Sequence, residues 1–298
     1  LTIDSKLQYI LEKVLQSAYE KFLPEKVMSI IQDPNTGEII AMASYPASEK
    51  PLSNPLISSA FEPGSTFKIF PMAIFLEENV VSNNTILNCE NGKFYYAGNE
   101  ISDLKPHKQL TIKDIIVYSS NIGMAKAYLE FNNPWKYCSF LKLFGFGTLT
   151  GIELPGELKG WLITPNNIRW SSYQPIAMSI GQGIFVTAIQ MVNAYSSIAN
   201  GGELLQPYIV KHILDNKGEI VHVNKKTVVR KVISTKTANI IKDILEETVL
   251  RGTALGTKID GISICAKTGT AQKYDHQIKK YSNTKSLISV CGFFPKEN

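Results

Sequence analysis

Strand-like segments stand at the two ends of this 298-residue chain, and helical periodicity fills its middle. That ordering constrains the fold more than any other feature. Strands grouped apart from helices, rather than alternating with them, favour a mostly antiparallel sheet joined to a helical lobe. Near the start, Leu7, Ile10, Leu11, Val14 and Leu15 recur at helical spacing, with Asp4 or Ser5 as a cap. This predicts a helix over 5–22. KVMSIIQD (26–33) and EIIAMASY (38–45) read as strands, and Pro34-Asn35-Thr36-Gly37 supplies the turn of a hairpin. From 62 to 205 the pattern is helical. Thr111 with Asp114, and Thr187 with Gln190, resemble capping boxes, the second opening a helix that stops at Asn200-Gly201-Gly202. Strands then return. YIVKHIL and EIVHV flank Asp215-Asn216-Lys217-Gly218 as a hairpin. A helix covers 235–250, with Ile240, Ile241, Ile244 and Leu245 on one face, and GISICAKTGT and KSLISVCGFF read as strands.

Composition narrows the function classes. The chain is 44% hydrophobic and 19% charged, an ordinary globular balance with length for a large core. Net charge is +5, but Lys and Arg are scattered, which describes a solvated surface rather than a nucleic-acid face. No apolar run approaches the ~18 residues of a membrane span. A signal peptide is not evident and the first residue is Leu1, so the chain reads as an excised or processed fragment. Cys89, Cys138, Cys265 and Cys291 form no CxxC pair and have no His at zinc spacing. They read as mostly buried small hydrophobes, with a disulfide left open, and no metal site is expected. His107, His212, His222 and His276 are scattered, and Gly-x-Ser-x-Gly is absent, so no Ser-His-Asp arrangement is visible.

Three short motifs could carry chemistry. In FEPGSTFKIF (61–70), Ser65 and Lys68 stand three apart behind a Pro63-Gly64 turn and ahead of an apolar run. On a helix those positions share a face, so an amine can take the proton of a hydroxyl, provided burial or a second cation lowers its pKa. Ser-x-x-Lys also occurs at Ser102, Ser139 and Ser282, about as often as chance predicts, so context alone separates Ser65. In YSSNIGMAKAYL (118–129), Ser119 and Asn121 put a hydroxyl and an amide on one turn, where an ordinary helix cap is the bland reading. In AKTGT (266–270), Lys267, Thr268, Gly269 and Thr270 would line a strand edge with a cation, two hydroxyls and an open approach for a carboxylate. Backbone N–H groups there could serve an oxyanion. The bland reading is a turn. A sharper rival is a phosphate loop at GISICAKT (261–268), which lacks the second glycine of that motif because Ala266 occupies the place.

Ser65–Lys68, Ser119–Asn121 and Lys267–Thr268–Gly269 occur together, in the order known for serine β-lactamases and penicillin-binding proteins. With LTIDSKLQ, DPNTGEIIAMASYP, GIELPGE, SIGQGIFVTAIQM, AKTGTAQ and VCGFFP, the chain resembles the transpeptidase domain of class B penicillin-binding proteins of the division type, nearly end to end. The resemblance implies an α/β (α+β) fold: a mostly antiparallel five-stranded sheet flanked by helices, with an inserted all-α lobe. Residues 1–46 and 206–298 would form the sheet lobe and 47–205 the helical lobe of one domain, shortened at its C-terminal end.

The same resemblance implies roles. Ser65 attacks the carbonyl between the last two D-alanines of a peptidoglycan stem peptide, and Lys68 takes its proton. Ser119 passes a proton to the leaving D-alanine. Asn121 holds the donor amide, Thr268 and Thr270 bind its carboxylate beside Gly269, and Lys267 sets the local field. Backbone N–H groups of Ser65 and Thr270 hold the oxyanion. A neighbouring stem peptide's amine then resolves the acyl-enzyme into a cross-link. β-Lactams would acylate Ser65 as mimics, with no metal or organic cofactor. Division-complex membrane proteins and a glycosyltransferase are the implied partners. The implied location is the extracytoplasmic (periplasmic) face of the membrane, with an anchor upstream of this chain. Ala266 departs from the glycine usual before the lysine. Alternatives are a class D-like serine β-lactamase, a β-lactam sensor, a silent binding module that recruits division proteins, and, last, a P-loop kinase. Asn121, where class D enzymes carry an aliphatic residue, speaks against the first.

Overall fold

The structure is a computed structural model that describes residues 1–47, 53–275 and 280–297. It opens with α1 (Ser5–Phe22), whose first turn is capped by Asp4: one carboxylate oxygen accepts from the Lys6 and Leu7 N–H groups at 2.9 Å. A hairpin follows, β1 (Val27–Gln32) with β2 (Ile39–Tyr45), in the register Val27↔Tyr45. Asp33 builds its turn by accepting from the Asn35 and Thr36 N–H groups. Gln8 of α1 docks the helix on the hairpin by exchanging two hydrogen bonds with the Met42 backbone.

The helical stretch contains α2 (Pro55–Ser58), α3 (Ile69–Glu77), α4 (Ile112–Val117), α5 (Asn121–Phe131), α6 (Pro134–Leu143), α7 (Gln174–Ser179) and α8 (Ala188–Ala199). α3 is apolar on every side and buried from Ile69 to Leu76, and α5 and α6 pack against it. Phe70 meets Phe67, Phe144, Phe146 and Tyr195, with ring centroids 5.0–5.4 Å apart. Such aromatic clusters add favourable edge contacts to area burial.

This stretch is not all-α, which corrects that expectation. Short antiparallel pairs interrupt it: β3 (Ile86–Asn88) with β6 (Gln109–Thr111), β4 (Lys93–Tyr96) with β5 (Asn99–Ser102), and β7 (Trp161–Leu162) with β8 (Ile184–Phe185). Each strand has two to four residues, too few for alternation to register in the sequence. The Thr187–Gln190 capping box is formed in full. Thr111 caps α4, but Asp114 accepts from the Thr111 hydroxyl and from Arg251, each at 2.8 Å, and does not close the box. Its side chain is one methylene shorter than the Glu or Gln that closes such a box.

Beyond 200, β9 (Glu203–Leu205) pairs with β12 (Val228–Lys231), and β10 (His212–Leu214) with β11 (Ile220–Val223). Then come α9 (Thr235–Arg251) and the long hairpin of β13 (Cys265–Asp275) with β14 (Lys280–Phe293). All seven ladders are antiparallel and, among the described residues, each is two-stranded. The five-strand count is therefore not met. Among the described residues the two large hairpins are joined through α8, which packs against both β1 and β14, and share no ladder. α1 covers β2, and α9 covers β13. The four cysteines are unpaired, with Cys89, Cys138 and Cys265 buried and Cys291 partly so. His276 lies outside the described residues.

Candidate active site

Ser65 and Lys68 lie on a single 3-10 turn, Gly64–Lys68, which runs directly into α3. Gly64 has φ +57°, and its N–H donates to the Gly181 carbonyl at 3.0 Å. Any side chain at Gly181, itself at φ +82°, would place its Cβ 2.0 Å from the Gly64 oxygen. Two glycines thus let two backbones touch behind the serine. The Thr66 hydroxyl donates to Pro63 O at 2.8 Å, and the buried Tyr195 hydroxyl of α8 donates to Thr66 O at 2.7 Å. The turn is held from inside the core while Ser65 stays partly exposed. Beside it, buried Glu62 accepts from the Gly183 N–H at 2.6 Å and from the Tyr281 hydroxyl at 3.0 Å. Burial raises the Glu62 carboxyl above its usual range.

Lys68 is fully buried. Its Nζ lies 2.6 Å from Ser119 O, 2.7 Å from Asn121 Oδ1 and 3.2 Å from Ser119 Oγ. Ser119 sits in the left-handed region at φ +62°, a strained place for a serine, and that conformation is part of a turn whose carbonyl meets the amine. Ser120 then caps α5, accepting from the Gly123 N–H at 2.9 Å. Asn121 Nδ2 donates to Ser102 O at 2.8 Å, which fixes its amide with Oδ1 toward Lys68.

β13 supplies the third side. Lys267 is fully buried, and its Nζ donates to Thr253 Oγ1 at 3.1 Å and to Thr268 O at 3.0 Å. Thr268 Oγ1 donates to Thr253 O at 3.2 Å, and the Thr253 N–H donates to Val117 O at 3.2 Å. Thr253 thus ties the lysine strand to the end of α4, two residues before Ser119. Gly269 lies over the nucleophile turn. A Cβ there would come within 3.0 Å of Thr66 Cγ2 and 3.1 Å of Pro63 O. Thr270 is exposed at the edge, and its carbonyl stands 3.2 Å from where a Gly64 Cβ would be. Ala266, the departure noted in the sequence, is buried opposite Gly292, which leaves room for its methyl. Its carbonyl accepts from the Thr248 hydroxyl of α9.

The three motifs therefore meet. The remaining Ser-x-x-Lys serines do not join as hydroxyls. Ser102 contributes only its carbonyl, Ser139 bonds back to Trp135 O within α6, and Ser282 accepts from the Thr284 and Lys285 N–H groups in its own turn. Desolvation holds the Lys68 amine well below the ordinary lysine range, Lys267 pushes it further down, and Asp103 opposes them. Burial brings Lys267 itself to about 7. A second cation near a desolvated amine disfavours its charged form, which favours neutral Lys68. Asp103, Thr253 and Glu62 escaped the sequence reading. Asp103 and Thr253 lie outside the three motifs, Glu62 stands in the first stretch but apart from its Ser-x-x-Lys pair, and no local pattern marks a residue that bonds across the chain.

Known proteins bear on this geometry. A family model described as the penicillin-binding protein transpeptidase domain matches residues 27–298. The chain is similar to stage V sporulation protein D of Bacillus subtilis, with 33% identity covering 100% of this chain and 47% of that protein. It is also similar to peptidoglycan D,D-transpeptidase FtsI of Escherichia coli, with 31% identity covering 92% of this chain and 45% of that one. The chain thus spans about half the length of these relatives. Among solved structures, the transpeptidase domain of Burkholderia pseudomallei penicillin-binding protein 3 superposes with a TM-score of 0.87 at 31% identity, covering 98% of this chain and 82% of that one. Penicillin-binding protein 3 of Mycobacterium tuberculosis, complexed with aztreonam, superposes with a TM-score of 0.93 at 28% identity, covering 100% and 70%.

Proposed function

The chain belongs to the penicillin-binding protein transpeptidase family, and from that premise we propose that it is a serine D,D-transpeptidase domain acting through an acyl-enzyme on Ser65. One observation carries the reading. Buried Lys68 donates to Ser119 O and Asn121 Oδ1, two oxygens that can only accept. A neutral amine has two N–H groups and one lone pair. Those two acceptors use both N–H groups and leave the lone pair for a hydroxyl proton. Desolvation and the neighbouring Lys267 favour that neutral form.

The reaction then runs on this chain's own groups. Ser65 Oγ adds to the carbonyl between the two terminal D-alanines as its proton passes to Lys68 Nζ. Backbone N–H groups of Ser65 and Thr270 hold the oxygen that becomes negative. Collapse breaks the carbon–nitrogen bond, and Ser119 relays the proton from Lys68 to the departing D-alanine amine. Asn121 holds the donor amide. Thr268 and Thr270 bind its carboxylate beside Gly269, and Lys267 supplies positive charge. The amine of a second stem peptide attacks the ester, gives its proton back through the same relay, and leaves a cross-link and free Ser65. β-Lactams enter by the first step alone.

The same reading takes the chain as one domain, with 47–205 as the helical lobe, working outside the cytoplasm in septal wall synthesis. Division-complex membrane proteins and a glycosyltransferase would be its partners. Among the described residues no helix is long and apolar enough to cross a membrane. Mass spectrometry of the protein after a labelled penicillin, with peptide mapping, tests the reading. A long-lived adduct on Ser65 is expected. Fast turnover would make the chain a β-lactamase, and an adduct elsewhere or none would end the proposal.

A further inference from the structure

Asp103 lies just past the end of β5, 16 residues before Ser119 in sequence and outside the three motifs. Its carboxylate spans the turn that Lys68 meets. One oxygen accepts from the Asn121 N–H at 2.5 Å and the Ile122 N–H at 3.0 Å, and the other accepts from the Ser120 hydroxyl at 2.5 Å. The residue before it accepts from Asn121 Nδ2. Residues 102–103 therefore satisfy the first N–H groups of α5, orient the Asn121 amide and fix Ser120, between the two residues that touch Lys68. A carboxylate at a helix start is also favoured by the helix dipole.

We propose that Asp103 is a positioning residue for the reaction: its hydrogen bonds fix the Ser119–Asn121 turn against Lys68, and its negative charge is a counter-charge to that buried amine. The inference rests on the transpeptidase reading for its consequence, though not for its geometry. The groups facing each other can be named. Lys68 is faced by Lys267 from β13 and by Asp103 from the segment after β5, while the turn ahead of α5 offers it only uncharged oxygens. Asp103 faces Lys68 and, across Ser120, the Cys89 thiol, whose Sγ is 3.7 Å from Ser120 Oγ. Burial keeps that thiol protonated. Beyond it, Lys126 on α5 is paired with Glu90 at 2.9 Å. Without Asp103, the site would keep two amines and lose the anion that faces Lys68. Lys68 would give up its proton at lower pH, and Ser119 and Asn121 would lose their anchor.

Asp103→Asn tests the charge, because it keeps an oxygen for the two backbone N–H groups. Asp103→Ala removes charge and anchor together. Two measurements are needed: the pH titration of Lys68, followed by NMR of protein labelled at lysine Cε and assigned with Lys68→Met, and the rate of Ser65 acylation by a fluorescent penicillin from pH 5 to 9. In Asp103→Asn the Lys68 midpoint should fall by about half a pH unit or more, and the acid limb of the acylation profile should move down with it. In Asp103→Ala the maximal rate should also drop about 100-fold, as misplaced catalytic groups do. A merely structural residue would lower the maximum and leave the midpoint where it was. An unmoved midpoint in a folded Asp103→Asn protein overturns the proposal, even if Asp103→Ala fails to fold. The NMR titration needs no acylation. Failure of wild-type protein to react with penicillin would thus count against the transpeptidase reading, while the midpoint still decides the role of Asp103.

Discussion

Lys68 has no water-facing surface, and a buried amine must find an anion or shed its proton. Here desolvation and Lys267 push the amine's pKa well down while Asp103 opposes them, and in the proposed reaction Lys68 is the base for Ser65. Ser65→Ala should abolish the covalent penicillin adduct, read by intact mass. Lys68→Ala should slow the adduct's formation by about 10²–10⁴, the usual worth of a positioned base, measured by stopped-flow acylation. The pH profile follows from both lysines. Acylation rises as Lys68 loses its proton, then falls once Lys267 loses its own near 7 and stops attracting the ligand carboxylate. The expected curve is a bell, and a rate independent of pH between 5 and 9 would contradict it. Thr253→Val keeps the shape of the side chain but removes the oxygen that holds Lys267 Nζ. It should cost roughly tenfold in acylation and lower the melting temperature by a few degrees, since a buried amine loses one of its hydrogen bonds.

At the scale of elements, the site depends on segments touching where side chains are missing. The nucleophile turn, the loop around Gly181 and the Gly269 edge of β13 pack backbone against backbone. Gly181→Ala forces a Cβ to 2.0 Å from the Gly64 oxygen at a φ of +82°. A destabilisation of about 1–3 kcal/mol from backbone strain alone is expected, with more from the clash. Urea unfolding should show it, and acylation should fall in the protein that remains folded. Much at this scale was legible beforehand. The limits of α1 and α8 follow from Asp4 and from Thr187 with Gln190, and α9 from the spacing of Ile240, Ile241, Ile244 and Leu245, because caps and periodicity act within one or two turns; the Ser234 cap of α9 emerged only in the structure. The short pairs β3–β6 and β4–β5 were not legible, because three or four residues carry too little alternation to tell strand from loop.

At the scale of the whole molecule, α3 ties the turn that carries Ser65 to the core. Phe70 lies one helical turn or so beyond Ser65, and its aromatic neighbour Tyr195 bonds the backbone of Thr66. Phe70→Ala should cost about 3–5 kcal/mol as a fully buried aromatic, and should loosen the nucleophile turn as well. Global stability should also depend on pH. The folded Lys267 titrates near 7 and the unfolded one near about 10.4, so between them the unfolded chain binds more protons and stability rises with pH. Lys68 has the same sign. Urea midpoints at pH 7 and pH 9 should show the gain in wild-type protein, and it should shrink in Lys267→Met.

By itself the sequence determined the periodic helices, the turn-bounded hairpins and the three candidate motifs, because those rest on sterics, hydrogen bonds and residue types among near neighbours. Only the tertiary structure decided that Lys68 and Lys267 are stripped of water, that Asp103 and Thr253 brace them, that Gly292 makes room for Ala266, and that α8 joins the two large hairpins. Desolvation and pairing across long stretches of chain are properties of the packed molecule, and no local run of residues encodes them.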